Sequence, residues 1–269
     1  MGRPEIVIGI IDGPVDRSHP DLQGATLSDV SAGARDSTCR IPDSTACHHG
    51  TFVAGILGAQ RGSSAPAISP SCSFIIRPIF SEVLSAQVYP EVSPAELASA
   101  VVDTVDAGAR IVNMSLGLAT TSLVSCRELN QAVEHAFQKG TMLIVAAGNH
   151  GRIGPVPLFN HPWVVPVSAC DEQGRLVVNS NTGISVGRRG LLAPGIAVLS
   201  TVGDSGYARM SGTSVAAPFV TGTAALLWSL FPRASAPEIR SALLLPGVAR
   251  KTIVPPLLNG VASRDALAH

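Results

Sequence analysis

The sequence predicts an α/β protein with a mostly parallel central sheet and helices on both faces. Two observations carry this. Short apolar, β-branched runs alternate with segments of helical periodicity along the chain. The composition is also apolar and sparsely charged, with 46% hydrophobic, 14% charged and 4% aromatic residues, and with 26 Gly and 20 Pro. An average soluble domain is about 25% charged. Low charge with many small residues suits a tightly packed sheet protein better than a helical bundle. The 269 residues suffice for a buried core, and a single domain over 1–269 is the simplest organisation.

The elements follow in order. Ile6–Ile11 is a continuous apolar run stopped by Asp12-Gly13-Pro14, which reads as a strand buried on both faces. Ser28 to Cys47 is rich in Ser, Ala, Gly and Asp and reads as an irregular loop. His49–Ala59 has the small apolar residues of a buried helix, and Ser73–Ile79 reads as a second strand. Ser93-Pro94-Ala95-Glu96 opens a helix: Ser93 caps it, Pro94 fits its first position and Glu96 completes a capping box. Leu97, Val101 and Val105 recur on one face of that helix and Gly108 stops it. Arg110–Met114 is the next strand. A helix over Arg127–Lys139 places Leu129, Val133, Ala136 and Phe137 on one face, with Gly140 at its end. Strands are then expected at Thr141–Ala147 and Trp163–Ala169, with shorter ones near Leu176–Val178, Leu191–Leu192 and Val198–Thr201. A long apolar helix over Ser214–Phe231 and a last one over Ala236–Leu245 close the domain.

Charge and cysteine usage exclude other classes. Lys plus Arg number 19 and Asp plus Glu number 19, so the net charge is zero. That leaves no electrostatic footprint for nucleic acid or an anionic membrane. No run approaches ~18 uninterrupted apolar residues, so no membrane span is expected. No basic segment with a cleavage site follows Met1, and the expected compartment is the cytoplasm. The five cysteines at 39, 47, 72, 126 and 170 form no C-x-x-C or zinc spacing. Most read as small buried hydrophobes. Cys39 and Cys47 flank a polar loop and a bridge between them is open, although a cytoplasmic location argues against it.

Catalytic groups in parallel sheets gather beyond the carboxyl ends of the strands. Asp12 and Asn149 each follow a strand, Ser214 begins the long apolar helix, and His49 opens another helix. Singly each has a bland reading: Asp12 and Asn149 as turn residues, Ser214 as a helix cap. Together they hold an acid, a base, a hydroxyl and an amide donor. A serine hydroxyl needs an imidazole within reach to attack at neutral pH. The imidazole needs a carboxylate to fix its tautomer, and the tetrahedral intermediate needs aimed donors. The backbone N–H of Ser214, at a helix amino terminus, and the Asn149 side chain suit that last task.

Three segments carry a resemblance: Ile10-Ile11-Asp12-Gly13-Pro14-Val15-Asp16, His49-Gly50-Thr51-Phe52-Val53-Ala54-Gly55 and Gly212-Thr213-Ser214-Val215-Ala216-Ala217-Pro218. In content and order they are similar to the signature blocks of the subtilisin-like serine proteases. Ala146–Asn149, Met114–Gly117 and Leu192–Gly195 resemble further family blocks, so the likeness covers nearly the whole chain. It implies the subtilisin-like three-layer fold and a serine endopeptidase working through an acyl-enzyme. By the same resemblance Ser214 is the nucleophile, His49 the general base and Asp12 the orienting carboxylate. Asn149 and the Ser214 N–H form the oxyanion hole. Ser115, Leu116 and Gly117 bind the substrate backbone as an added strand, with Ala147 and Gly148 beside them. Gly13-Pro14 and Phe52 depart from the family wording without removing a catalytic group.

The Asp12–Asp16 wording and the Ile76–Phe80 stretch are similar to the proteases that mature cyanobactins. Macrocyclising members of that group carry a helical lid between the Asp and His blocks. Only 36 residues, mostly polar loop, separate Asp12 from His49 here, so hydrolysis is expected. The expected partner is a peptide or precursor-peptide substrate. The alternatives are a general intracellular protease and an inactive peptide-binding pseudoprotease. No cofactor is expected. Asp21 matches a position at which family members bind calcium, but Arg61–Ala67, the partner loop, has no Asp or Asn, so no tight metal site is expected. His48 is read as surface or substrate-proximal, Asp16 as a support for the site, and His19, His135, His150 and His161 as structural. The pocket region Gly151–Trp163 contains no Asp or Glu, which disfavours Arg or Lys before the scissile bond.

Overall fold

A computed structural model of the chain describes residues 1–30, 36–83, 92–116, 127–154, 158, 161–244 and 252–268. Seven strands form one sheet: β1 (Val7–Asp12), β2 (Thr26–Asp29), β3 (Ser73–Pro78), β4 (Ile111–Met114), β5 (Met142–Ala146), β6 (Val164–Cys170) and β7 (Leu191–Pro194). All pair in parallel, in the order β2-β3-β1-β4-β5-β6-β7. β4, β5 and β6 are buried at every residue, as their unbroken apolar runs require in a sheet covered on both faces. A separate antiparallel hairpin pairs β8 (Val198–Val202) with β9 (Gly206–Met210).

The helices among the described residues are α1 (Thr45–Gly58), α2 (Pro94–Asp106), α3 (Arg127–Lys139), α4 (Ile184–Arg189), α5 (Thr213–Leu230), α6 (Ala236–Leu244) and α7 (Gly260–Leu267). α2 and α3 pack on each other and on the sheet around β1, β4 and β5. α1 and α5 pack on each other, with α5 crossing β4 to β7. This is the three-layer α/β arrangement that the alternation predicts. α5 is long and apolar enough to cross a membrane by length and composition, but 72% of it is buried inside the protein, where it is a core helix. The sheet order steps outward in both directions from β1, so a crevice opens beyond the carboxyl ends of β1 and β4.

Several boundaries and elements differ from expectation. β2 lies inside the stretch read as loop. It is an edge strand with three exposed residues, so it shows no apolar alternation to detect. β9, α4 and α7 are also additions. Leu176–Val178 is not a strand: Leu176 makes only an isolated bridge to Cys170, and Val178 is 88% exposed. Phe137 does not join the buried face of α3. It is 46% exposed and sets its ring edge-on to Trp163 at 5.0 Å. The expected end of the last helix, Leu245, lies outside the described residues.

Candidate active site

β1 delivers Asp12 to the crevice as its last residue, fully buried. Asp12 Oδ1 accepts two hydrogen bonds, from Gly13 N at 2.7 Å and from His49 Nδ1 at 2.7 Å. His49 sits in the second turn of α1, whose amino terminus is capped by Ser44 accepting from Cys47 N at 3.1 Å. The close approach of α1 to the end of β1 explains Gly13. A Cβ there would lie 1.9 Å from the Ala46 carbonyl oxygen, so a larger residue cannot fit unless the backbone shifts. Gly50 meets the Gly13 and Pro14 carbonyls in the same way, at 2.4 Å.

The His49 side chain is 14% exposed. Burial works against its charged form, but the charge and hydrogen bond of Asp12 outweigh this and hold its pKa above the ordinary imidazole value. With Nδ1 committed to Asp12, Nε2 is the nitrogen left to move a proton.

Ser214 is the second residue of α5, and the loop before it is tied from three sides. Gly212 N donates to Gly195 O at 2.8 Å. Thr213 N donates to Asn149 Oδ1 at 2.8 Å, and Thr213 Oγ1 accepts from Gly148 N at 3.0 Å. This pair of bonds locks Asn149 beside the start of α5 with its amide NH2 uncommitted to that contact. The Val215 and Ala216 N–H groups turn back to Gly212 O, both at 3.2 Å. The Ser214 N–H belongs to the first helical turn, whose donors helix geometry leaves without internal partners. Donors and helix dipole together favour a developing oxyanion there.

A small apolar cluster links α1 to α5. Phe52, Ile56, Val202 and Val215 are buried together, one turn from His49 and next to Ser214. Phe52, at its departure from the family wording, packs the helix that carries His49 onto the one that carries Ser214. Ser200 and Thr201 of β8 also donate to the Phe52 and Thr51 carbonyls of α1, at 2.8 and 2.9 Å.

Of the expected substrate-binding residues, Ser115 and Leu116 directly follow β4 at the crevice. Both are buried, and Ser115 Oγ donates to Ser214 O at 2.7 Å. Gly117 lies outside the described residues. Ala147 and Gly148 are placed differently from Ser115. Ala147 N bonds Val167 O and Ala147 O accepts from Asn181 Nδ2; Gly148 N and O bond Thr213 and Asn181. Their main-chain groups are engaged inside the protein.

A model of the Subtilase family matches residues 3–246. This chain is a subtilase. It is 30% identical to subtilisin DY of Bacillus licheniformis over 243 residues, 88% of this chain and 82% of that protein. It is 31% identical to thermitase of Thermoactinomyces vulgaris over 238 residues, 88% and 78% of the two chains. Against the thermophilic serine proteinase of Bacillus sp. (strain AK1) the identity is 32% over 224 residues, but the match spans only 52% of that longer protein. Among solved structures, a mutant of the protease domain of PatA superposes with a TM-score of 0.88 at 34% identity, covering 99% of this chain and 96% of that one. The prenylagaramide maturation protease PagA follows with 0.84 at 31%, covering 99% and 95%. The subtilase family places the chain among the serine endopeptidases.

The subtilase carries a disulfide that the argument from compartment weighed against. Cys39 and Cys47 are bridged, with Cα atoms 5.5 Å apart. The cause is tertiary. Thr38 pairs with Val15, and Cys39 N donates to Val15 O at 3.2 Å, so the loop is drawn along the exit of β1 onto α1. That sets the two backbones at bridging distance. The bridged sulfurs offer no thiolate, so their nearness to Glu82 makes no metal site. Glu82 instead accepts from the Arg40 and Ile41 backbone N–H groups at 2.9–3.1 Å. Cys72 and Cys170 are free and buried, and burial raises the pKa of both thiols. Cys126 lies outside the described residues.

Calcium, which many subtilases bind, does not suit the residues present. Asp21 Oδ1 accepts from Gln60 Nε2 at 3.0 Å, and Oδ2 accepts from the Tyr207 hydroxyl. Arg61–Ala67 brings no carboxylate or carboxamide, whereas calcium takes six to eight oxygens. Neutral donors occupy both oxygens of the one matching carboxylate. Burial opposes the charge of Asp21, and the hydrogen bonds from Tyr207 and Gln60 outweigh it, so its pKa lies below the usual range.

The remaining polar residues fall in two groups. His19 is structural: Nδ1 accepts from Asp21 N, Nε2 meets Gly206 O at 3.0 Å, and the ring stands edge-on to Tyr207. Asp16 organises the loop after β1, accepting from Ser18 N and Asp204 N. His48 is half-buried and faces Asp43 at 3.9 Å. His135 and His161 pair with Asp106 and Glu134 outside the crevice, and His150 is exposed. Thr213, Asn181 and Asn113 support the site without having been singled out. Asn113, a polar residue inside the apolar run Ile111–Met114, was the one with a readable signal.

Proposed function

We propose that this subtilase is a precursor-processing endopeptidase that cleaves a ribosomally made, modified peptide. The observation that carries the reading is the likeness to PatA and PagA, maturation proteases for patellamide and prenylagaramide, over 99% of this chain at 33% and 31% identity. Hydrolysis rather than macrocyclisation is supported by the stretch between Asp12 and α1. Its only helical piece among the described residues is the short 3-10 turn Pro20–Leu22.

In the proposed mechanism His49 Nε2 takes the Ser214 hydroxyl proton as Oγ attacks the scissile carbonyl carbon. The Ser214 N–H and the Asn149 amide hold the resulting oxyanion. Collapse breaks the C–N bond, and His49 returns the proton to the leaving amine. Water then attacks the acyl-enzyme with His49 as base, releasing the acid and restoring Ser214. Asp12 fixes the His49 tautomer throughout. The substrate backbone pairs with Ser115, Leu116 and Gly117 as an added strand. The lack of Asp and Glu in Gly151–Trp163 disfavours Arg or Lys before the scissile bond. The whole of 1–269 acts as one catalytic domain, without bound calcium or cofactor.

Incubation with unstructured casein and with a peptide library, read by mass spectrometry, tests this. Near inertness toward casein with one dominant cleavage motif is expected. Rapid, unselective casein digestion would instead mark a general protease. Peptide binding without turnover would mark an inactive binder.

A further inference from the structure

Helix α5 carries a proline where its hydrogen-bond ladder would serve Ser214. Pro218 lies four residues after Ser214 and has no N–H to give its carbonyl. That carbonyl accepts from Ser115 Oγ instead, at 2.7 Å. Ser115 is itself held, because Asn113 Nδ2 donates to its Oγ at 2.8 Å. Asn113 is held in turn by Thr221 Oγ1, which donates to Asn113 Oδ1 at 2.9 Å. Asn113 and Thr221 are fully buried and Ser115 is 2% exposed. The three bonds form one directed relay. It leaves α5 at Thr221, crosses the end of β4 and returns to α5 at Ser214.

Thr221 behaves unlike its neighbour. A helical threonine commonly bonds back to the carbonyl four residues earlier, and Thr223 does so, to Phe219 O at 2.8 Å. Thr221 spends its hydroxyl across the layer on Asn113.

We propose that Asn113 and Thr221 are positioning residues for Ser214, acting through Ser115. The inference rests on the reading of Ser214 as nucleophile. The Ser214 carbonyl belongs to the first turn of α5, so the bond that holds it also steadies the Ser214 backbone from which Oγ projects. Ser115 opens the segment proposed to pair with substrate. The relay therefore fixes the spacing between that edge and the nucleophile. Without the Thr221 hydroxyl, Asn113 Oδ1 is buried without its donor, its amide is free to turn, and Ser115 loses its support.

The test uses the rate of covalent labelling by a fluorophosphonate probe, separated into a maximal rate and a half-saturating concentration. Thr221→Val should lower the maximal rate about tenfold, the size of one buried hydrogen bond lost from a positioning network. The half-saturating concentration should stay within about twofold. Thr221→Ser, which keeps the hydroxyl, should restore the rate. The pH midpoint of labelling should not move, because the Asp12–His49 pair is untouched. In a Ser115→Ala background, adding Thr221→Val should change nothing further. Labelling of Thr221→Val within about twofold of wild type overturns the proposal, as does an undiminished effect in the Ser115→Ala background. If Thr221→Val does not fold, Thr221→Ala is judged by the same criteria. Failure of wild type to label, or labelling of Ser214→Ala, overturns the nucleophile reading itself. A labelled wild type with an indifferent Thr221→Val overturns the relay alone.

Discussion

At the residue scale, the site is held by hydrogen bonds made within the protein. One Asp12 oxygen accepts from both Gly13 N and His49 Nδ1, and the Asn149 carbonyl oxygen accepts from Thr213 N. These bonds orient the groups before substrate arrives, which is where preorganised catalysis draws its advantage. Ser214→Ala should lower peptide hydrolysis by several orders of magnitude, the size that loss of the nucleophile costs in relatives of this chain, while peptide affinity persists. Steady-state kinetics with a calorimetric titration checks both halves, and unchanged turnover would sink the mechanism. The pH dependence follows from His49. Its folded pKa is raised, so the base becomes protonated and activity fades as pH falls through a value above about 6.5. In Asp12→Asn burial acts alone, and the acid limb of kcat/KM should shift to lower pH as kcat drops. An acid limb at or below the free-imidazole value in the wild type would contradict the Asp12 contribution. Asp12, His49, Asn149 and Ser214 were legible because each sits in a distinctive run of residues. Thr221 was not, since only the packed layers reveal what its hydroxyl meets.

At the element scale, α1 is the piece on which most depends, and three neighbours hold it. Gly13 and Gly50 let it approach β1, β8 donates to its carbonyls, and the Cys39–Cys47 bridge ties its first turn to the loop. A bridge across a sequence separation of 8 removes about 2.5 kcal/mol of unfolded-state entropy. The Cys39→Ser, Cys47→Ser double variant should lose about that much in denaturant-unfolding stability. A loss under about 0.5 kcal/mol would show that the loop is held without it. Tyr207 of β9 has a comparable place beside Asp21. Tyr207→Phe should lower the melting temperature by a few degrees. Chelator or added calcium should move wild type by less than about 1 °C, and a rise of several degrees with calcium would refute the account of Asp21. Strands β1 and β3 to β6 were readable because burial on both faces writes them as apolar runs. β2 and β9 are exposed or half-exposed along their length, and their pairing partners alone make them strands.

At the scale of the whole molecule, 19 basic and 19 acidic residues cancel. Long-range steering of a charged substrate is then absent, and screening has little to remove. The kcat/KM for a neutral peptide should change less than about twofold between 50 mM and 500 mM salt. A steep fall would reveal a local charged patch at the cleft that the overall balance conceals. The sheet order brings β1 and β4 side by side, so Asp12 and Ser115 reach one crevice from distant parts of the chain. α1 and α5 then close over it through Phe52 and Val215.

The sequence by itself determined the α/β class, the layered sheet, the subtilisin-like resemblance and the four polar groups at the ends of their elements. Those rest on local pattern: apolar runs, caps and short blocks of neighbouring residues. Tertiary structure alone decided the Cys39–Cys47 bridge, the neutral partners of Asp21, the inward engagement of Ala147 and Gly148, and the relay from Thr221 to Ser214. Each of these joins residues distant in the chain or drawn together by its packing. Only the three-dimensional path of the backbone says which donor meets which acceptor.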